Sequence, residues 1–114
     1  MALFPANSEG SGTIEDVASL FTNKPTNFYA EKKNGVVWFR GTITGGYGYL
    51  AQFNNNAKIN PHSDLLYSTN GYFNNSQGYR QSISVTINST GIYYTSTDGA
   101  SHECIISGCY LAAN

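Results

Sequence analysis

The alternation of apolar and polar positions divides the chain into a short amphipathic segment and a long region typical of β-strands. Near the N-terminus, four apolar side chains recur at helical spacing: Ile14, Val17, Ala18 and Phe21. Thr13 and Asp16 resemble a capping box, and Pro25 disfavours continuation of a helix. The pattern predicts a short amphipathic helix over residues 13–22, within an N-terminal extension of residues 1–26.

The remaining residues, 27–114, have the turn signals of an antiparallel sheet. Asn34-Gly35 separates two apolar runs and is a strong hairpin signal, because both residues tolerate a positive φ. SISVTI alternates apolar and polar positions, and further strands are predicted in IYYTS, LLYSTNGYF and HECIISGCYLA. We therefore predict an all-β head domain over residues 27–114, built as an antiparallel β-sandwich.

One predicted strand, VVWFRG, is apolar on both faces. Alternation places Val36, Trp38 and Arg40 on one face and the intervening residues on the other. We expect the second sheet to cover one face and a neighbouring subunit to cover the other. Trp38 would then lie in the core or in an interface, and Arg40 would pair with Glu31 across the hairpin.

Composition limits the partners of the protein. Charged residues make up 11% of the chain and the net charge is -1, so the sequence lacks the basic footprint of a nucleic-acid-binding protein. No apolar run approaches the length of a membrane span, and we expect neither nucleic-acid binding nor membrane insertion. Cys104 and Cys109 would face opposite sides of a continuous strand, which predicts two unpaired thiols.

Groups able to perform acid-base or metal chemistry are few. Asp64 lies near His62, and Asp98 lies near His102, but neither grouping has the paired carboxylates of a glycosidase. The sequence contains no nucleophile elbow, no phosphate loop and no metal-ligand spacing. We therefore predict a protein that is not an enzyme, with no catalytic residues, no metal site and no cofactor.

The order of the β segments is distinctive. NGVVWFRGTITGG is followed by a polar loop with a proline, then by SVTINSTGIYYTS, a DG turn and a terminal ISGCYL. Over residues 27–112 this order is similar to that of the C-terminal head domains of bacteriophage tail-fibre and baseplate receptor-binding proteins. The resemblance implies a trimeric, jelly-roll-like head on a virion tail fibre, baseplate or capsid surface, which attaches to saccharide on the host cell.

Tyrosines are interleaved with glycines and amides in GGYGYLAQFNNN and in TNGYFNNSQGYRQ. Such mixtures serve recognition loops, because tyrosine gives a large contact area at low entropic cost. We predict that loops 45–56, 60–64 and 70–80 bind a host-surface saccharide, with Asp64 or Arg80 orienting its hydroxyls. The candidate ligand-binding residues are Tyr47, Tyr49, Asp64, Tyr72, Asn74, Asn75, Tyr79 and Arg80.

Two other functions fit the same pattern. In a structural virion component, such as a capsid-decorating or head-fibre protein, the tyrosines would contact other virion proteins and bind no ligand. A cellular carbohydrate-binding module would be a monomer with an exposed tyrosine groove. The resemblance implies a homotrimer for the attachment function, in which multivalency would raise apparent affinity without new contacts.

Overall fold

The computed structural model describes residues 12–44, 46–73, 80–96 and 103–113, which form an all-β fold. The strands in these residues are β1 (Glu15–Asp16), β2 (Phe21–Thr22), β3 (Tyr29–Lys33), β4 (Val36–Thr44), β5 (Tyr47–Phe53), β6 (Leu65–Phe73), β7 (Arg80–Ile87), β8 (Gly91–Ser96) and β9 (Glu103–Leu111). Every pairing between these strands is antiparallel. The predicted antiparallel all-β architecture is confirmed.

The strands form two sheets that are joined at one side. The first sheet has the order β1-β3-β4-β9, and the second has the order β6-β7-β8-β5-β2. β9 and β6 pair only where Tyr72 meets Ile105 and Phe73 meets Cys104. Beyond these pairs the two strands diverge, and the Tyr67 hydroxyl donates across the opening to the carbonyl of Ser107 over 3.4 Å.

Apolar side chains fill the space between the sheets. The most buried of them come from β4, β5, β7, β8 and β9, and include Val37, Phe39, Leu50, Ile83, Val85, Ile87, Ile92 and Ile106. The ring centroids of Phe53 in β5 and Tyr110 in β9 lie 5.9 Å apart, so the two sheets are in direct contact through the core. Removal of this apolar surface from water is the main term that stabilises such a sandwich.

Residues 13–22 do not form the predicted α-helix. β1 pairs with β3 and β2 pairs with β5, and a short 3₁₀ turn over Ala18–Leu20 connects them. Val17 and Phe21, from the predicted apolar stripe, are buried between the sheets. A short helix gains little by itself, whereas the extended segment hydrogen-bonds to an edge of each sheet and closes the second side of the sandwich.

The hairpin prediction is confirmed, but the prediction for the pairing of Arg40 is wrong. Asn34 and Gly35 have φ values of 52° and 80°, which a two-residue turn of this type requires. The register pairs Arg40 with Tyr29, and the Arg40 guanidinium carbon lies 5.1 Å from the centroid of the Tyr29 ring. Glu31 pairs with Trp38 instead, because it is displaced from Tyr29 by two residues along β3.

The exposure of Trp38 and of the two cysteines shows which face of the first sheet points to the core and which points outward. Trp38 is 55% exposed in the single chain and therefore does not belong to its core. Cys104 lies opposite Ile43 and is buried, whereas Cys109 lies opposite Trp38 and is half-buried. Both thiols are unpaired, as predicted, because they occupy opposite faces of β9.

Candidate functional site

Tyr47 and Tyr49 belong to strand β5 and not to the loop predicted over residues 45–56. β5 pairs with β8, which places Tyr49 directly opposite Tyr93. Gly48 has a φ of 146°, a value that residues with a side chain rarely adopt. The sequence did not predict β5, because its glycines weaken the local strand pattern. In the folded chain, pairing with β8 outweighs this low strand propensity.

A β-bulge fixes the orientation of Tyr49. The register between β5 and β8 shifts between Tyr49 and Ala51, so Leu50 and Ala51 are both buried. A Cβ atom at Gly41 would lie 2.8 Å from Leu50 Cδ1, which shows how closely Leu50 packs over β4. The bulge therefore anchors β5 in the core while Tyr49 stays on the outward side of the second sheet.

The outward side of the second sheet carries no charged side chain in two rows that cross it. Each row contains one residue from each of β5, β8, β7 and β6, in register, and we call the two rows together the tyrosine face. The first row is Tyr49, Tyr93, Thr86 and Leu66. The second row is Tyr47, Thr95, Ser84 and Ser68. Tyr47 is 74% exposed, and the Tyr49 ring meets Tyr93 edge to face at 5.1 Å. The face offers aromatic rings and hydroxyl groups to a neutral polar ligand.

A cleft of about 300 Å³ opens between β4 and β5, beside Tyr49. Its lining mixes apolar and polar groups from Asn23, Pro25, Thr42, Ile43, Tyr49, Leu50 and Tyr94. Burial, and then the neighbouring Tyr93, raise the pKa of Tyr94, so its hydroxyl keeps its proton at neutral pH. The volume is at the lower end of the range for small-molecule sites.

Asp64 is separated from this site. The row that begins at Tyr49 reaches Leu66 across three strand spacings, or about 14 Å, and Asp64 lies immediately before β6. Asp64 is exposed and lines another cavity of about 320 Å³, where β6 and β9 diverge; the apolar walls of this cavity include Val36, Leu65, Cys109 and Leu111. Asp64 is therefore distant from Tyr47 and Tyr49, and its predicted contact with the saccharide hydroxyls stays a prediction.

Two of the other predicted site residues, Tyr72 and Arg80, lie toward the end of the second sheet. Tyr72 and Arg80 pair in register at the end of β6 and the beginning of β7, and the structure describes only their backbone. This pair lies beyond the row of Ser84 and Ser68 that begins at Tyr47. Asn74, Asn75 and Tyr79 lie outside the described residues.

Sequence reasoning missed Asn23, Thr42, Tyr93 and Tyr94. Consecutive side chains in a strand point to opposite sides of the sheet. The two tyrosines of IYYTS therefore could have been predicted to place one ring outward, and this ring is Tyr93. Asn23 and Thr42 carried no such signal, because only the packing of the segment after β2 against β4 brings them to one cleft. Asn23 has a φ of 50°, a conformation that asparagine tolerates better than most residues.

The outward side of the first sheet differs from the tyrosine face. Its centre consists of Tyr29, Glu31, Trp38 and Arg40, which we call the tryptophan face. Tyr29 is 56% exposed, and Glu31 and Arg40 are exposed as well. Aromatic rings here are surrounded by charges of both signs.

Comparisons of the chain with protein-family models, with curated proteins and with solved structures gave no match. Among the described residues, no three His, Cys, Asp or Glu side chains are grouped so that they could hold a metal ion. The same part of the chain has no helix that is both long and apolar enough to cross a membrane. The resemblance to phage receptor-binding heads stays a prediction.

Proposed function

We propose that the protein is a phage attachment domain that binds a neutral saccharide of the host surface at the tyrosine face and the adjoining cleft. The observation that carries this proposal is the exposed pair Tyr47 and Tyr49 on an uncharged surface beside a cleft of about 300 Å³. The apolar side of a sugar ring stacks on tyrosine, and its hydroxyls pair with polar groups at the cleft. Asn23, Thr42 and Tyr94 supply these groups.

A jelly-roll-like homotrimer displayed on a virion is part of the proposal. Leu65 and Leu111 are 39% and 63% exposed near the side where β6 and β9 diverge. The centre of a protein interface is depleted in charge and rich in apolar area, and this side suits subunit contact better than the charged tryptophan face. Three weak saccharide sites on one particle would raise its avidity for the host.

The second candidate is a structural virion component without a ligand. The edge-to-face contact of Tyr49 with Tyr93 favours it, because such aromatic pairs also occur at the centres of protein interfaces. Another virion protein would then cover the tyrosine face. A monomer that binds saccharide would favour a cellular carbohydrate-binding module instead.

Native mass spectrometry and amide NMR together test the proposal. The chain is titrated with a panel of neutral oligosaccharides built from glucose, galactose and N-acetylglucosamine. We expect a trimer, saturable shifts of the Tyr49 and Tyr93 amides, and affinity about tenfold lower in Tyr49→Ala, which corresponds to roughly 1.4 kcal/mol. Tyr29→Ala, which removes an exposed tyrosine from the other sheet, is the matched control and should leave these shifts unchanged.

The alternatives have distinct outcomes in the same experiment. A trimer whose Tyr49 and Tyr93 amides respond to no saccharide would overturn attachment through this face and support the structural component. A monomer with saturable shifts would retain the binding site but contradict the trimeric virion head.

A further inference from the structure

Trp38 stands between two grooves on the outward side of the first sheet. One groove, of about 340 Å³, is lined by Ile14 and Lys33 among others, and the second, of about 160 Å³, is lined by Tyr29 and Arg40 among others. Trp38 and Glu31 line both grooves. A ligand in either groove would therefore lie next to Trp38 and Glu31.

Glu31, which lines both grooves, makes no ion pair within the described part of the chain, where Lys58 pairs with Glu15 at 2.9 Å. Asp16 lies in register with Glu31 on the neighbouring strand, and like charges in this arrangement destabilise a sheet. The exposed indole adds apolar surface that remains in water.

The position of Arg40 is defined by its contact with the Tyr29 ring, at 5.1 Å. Such a cation-π contact restricts the guanidinium and keeps it next to the groove. Lys33 lies on the other side of Glu31 along β3. Glu31 is therefore an acceptor placed between two donors, one in each groove.

The mixture of positive and negative side chains at these grooves favours one class of ligand. Lys33 and Arg40 disfavour a free cation, and Glu31 and Asp16 disfavour a free anion, whereas hydroxyl groups can pair with both signs. Glu31, Asp16 and Lys33 are of residue types that are depleted at the centres of protein interfaces, which favours a small polar ligand over a protein partner. We propose that the tryptophan face is a second saccharide site, in which a neutral sugar ring stacks on Trp38.

The proposed contacts follow from the grooves. One sugar hydroxyl donates to the Glu31 carboxylate, and a neighbouring hydroxyl accepts a hydrogen bond from Arg40 or Lys33. Hydrogen bonds to charged groups are shorter and stronger than those between neutral groups, so they offset the small size of the contact area. This site lies on the opposite sheet from the tyrosine face and does not depend on saccharide binding there.

Trp38 is the one tryptophan of the chain, so selective excitation of its indole reports this face alone. The intact chain is titrated with the same neutral oligosaccharide panel, and acrylamide quenching of the indole emission is measured. We expect at least one saccharide to protect Trp38 from acrylamide. Its affinity should fall about tenfold in Glu31→Gln and in Arg40→Gln, a loss of roughly 1.4 kcal/mol, and should be unchanged in Tyr49→Ala.

Three results would overturn the second site. The first is a panel that leaves acrylamide quenching unchanged, and the second is protection that survives in both Glu31→Gln and Arg40→Gln. The third is protection that depends on protein concentration without saccharide, which would show that a second copy covers Trp38. Both substituted residues are exposed, and circular dichroism checks that the variants fold.

Discussion

The two outward faces of this sandwich are both aromatic, yet they differ in charge. The tyrosine face has rows of Tyr, Thr and Ser without charge, whereas Trp38 is surrounded by Glu31, Arg40 and Lys33. A neutral face recognises hydroxyls through weak hydrogen bonds and ring stacking, and a charged face recognises them through stronger, more directional bonds. One small fold can therefore present two kinds of polar recognition surface on opposite sides of one core.

The largest expected loss of stability comes from Gly91→Ala, which disturbs the pairing of β8 with β5 beneath the tyrosine face. An added Cβ would lie 2.5 Å from the Ala51 carbonyl oxygen and 2.8 Å from Gln52 Cα. Both atoms belong to the backbone of β5 and cannot rotate away, so we expect a loss of about 2–3 kcal/mol in the free energy of unfolding. Urea denaturation measures it, with the exposed neighbour Thr90→Ala as control.

The same variant separates the two faces. If the tyrosine face depends on the pairing of β5 with β8, the shifts of the Tyr49 amide with saccharide should weaken in folded Gly91→Ala. The protection of Trp38 should persist, because β3 and β4 pair with neither strand. An equal loss of saccharide binding at both faces would mean that the substitution disturbs both sheets and not the second sheet alone.

A smaller effect is expected from Gly108→Ala, in β9 of the first sheet. The new Cβ would lie 2.0 Å from the Tyr67 hydroxyl oxygen and 2.9 Å from Phe39 Cζ. Tyr67 can swing toward the open side of the sandwich, so we expect a loss of about 1–2 kcal/mol rather than more.

A double-mutant cycle with Tyr67→Phe tests the cause of this loss. Because Tyr67→Phe removes the hydroxyl, Gly108→Ala should cost less in that background. Additive effects in the urea denaturation of the single and double variants would show that the Tyr67 hydroxyl is not the cause of the loss.

Local patterns predicted the strands whose signals lie within one segment, including the hairpin at Asn34-Gly35 and the core face of β7. They failed at residues 13–22, where Ile14, Val17, Ala18 and Phe21 fit a helix although the edges of both sheets impose an extended path. They also failed at β5, whose partner β8 is distant in the sequence. For the site, exposure of Tyr47 and Tyr49 fits the prediction, whereas the separation of Asp64 depends on strand order, which no local pattern contains.

Alkaline pH is expected to weaken the side where the two sheets diverge. Burial first, and Cys109 second, raise the pKa of Tyr67 from its ordinary 10 to about 12, and burial raises that of Tyr110. The unfolded chain releases these protons at lower pH than the folded chain, so stability should fall as the pH rises from 10 to 12. The midpoint of urea denaturation, measured across this pH range, follows the fall in stability. In Tyr67→Phe the midpoint should decrease less steeply with pH. An equally steep decrease in this variant would show that Tyr67 is not a cause.

The smallest effect, and the sharpest test of the charge difference, is the salt dependence of binding. At the tryptophan face the hydrogen bonds involve exposed charged groups, whose fields are screened beyond about 8 Å at physiological ionic strength. Added sodium chloride should therefore change saccharide affinity there by about twofold or less, since the bonds themselves are shorter than that length. At the tyrosine face no charged group takes part, so affinity measured from the Tyr49 amide should not change. A salt response at the tyrosine face as large as twofold, or a response at the tryptophan face well above twofold, would contradict this difference in charge between the two faces.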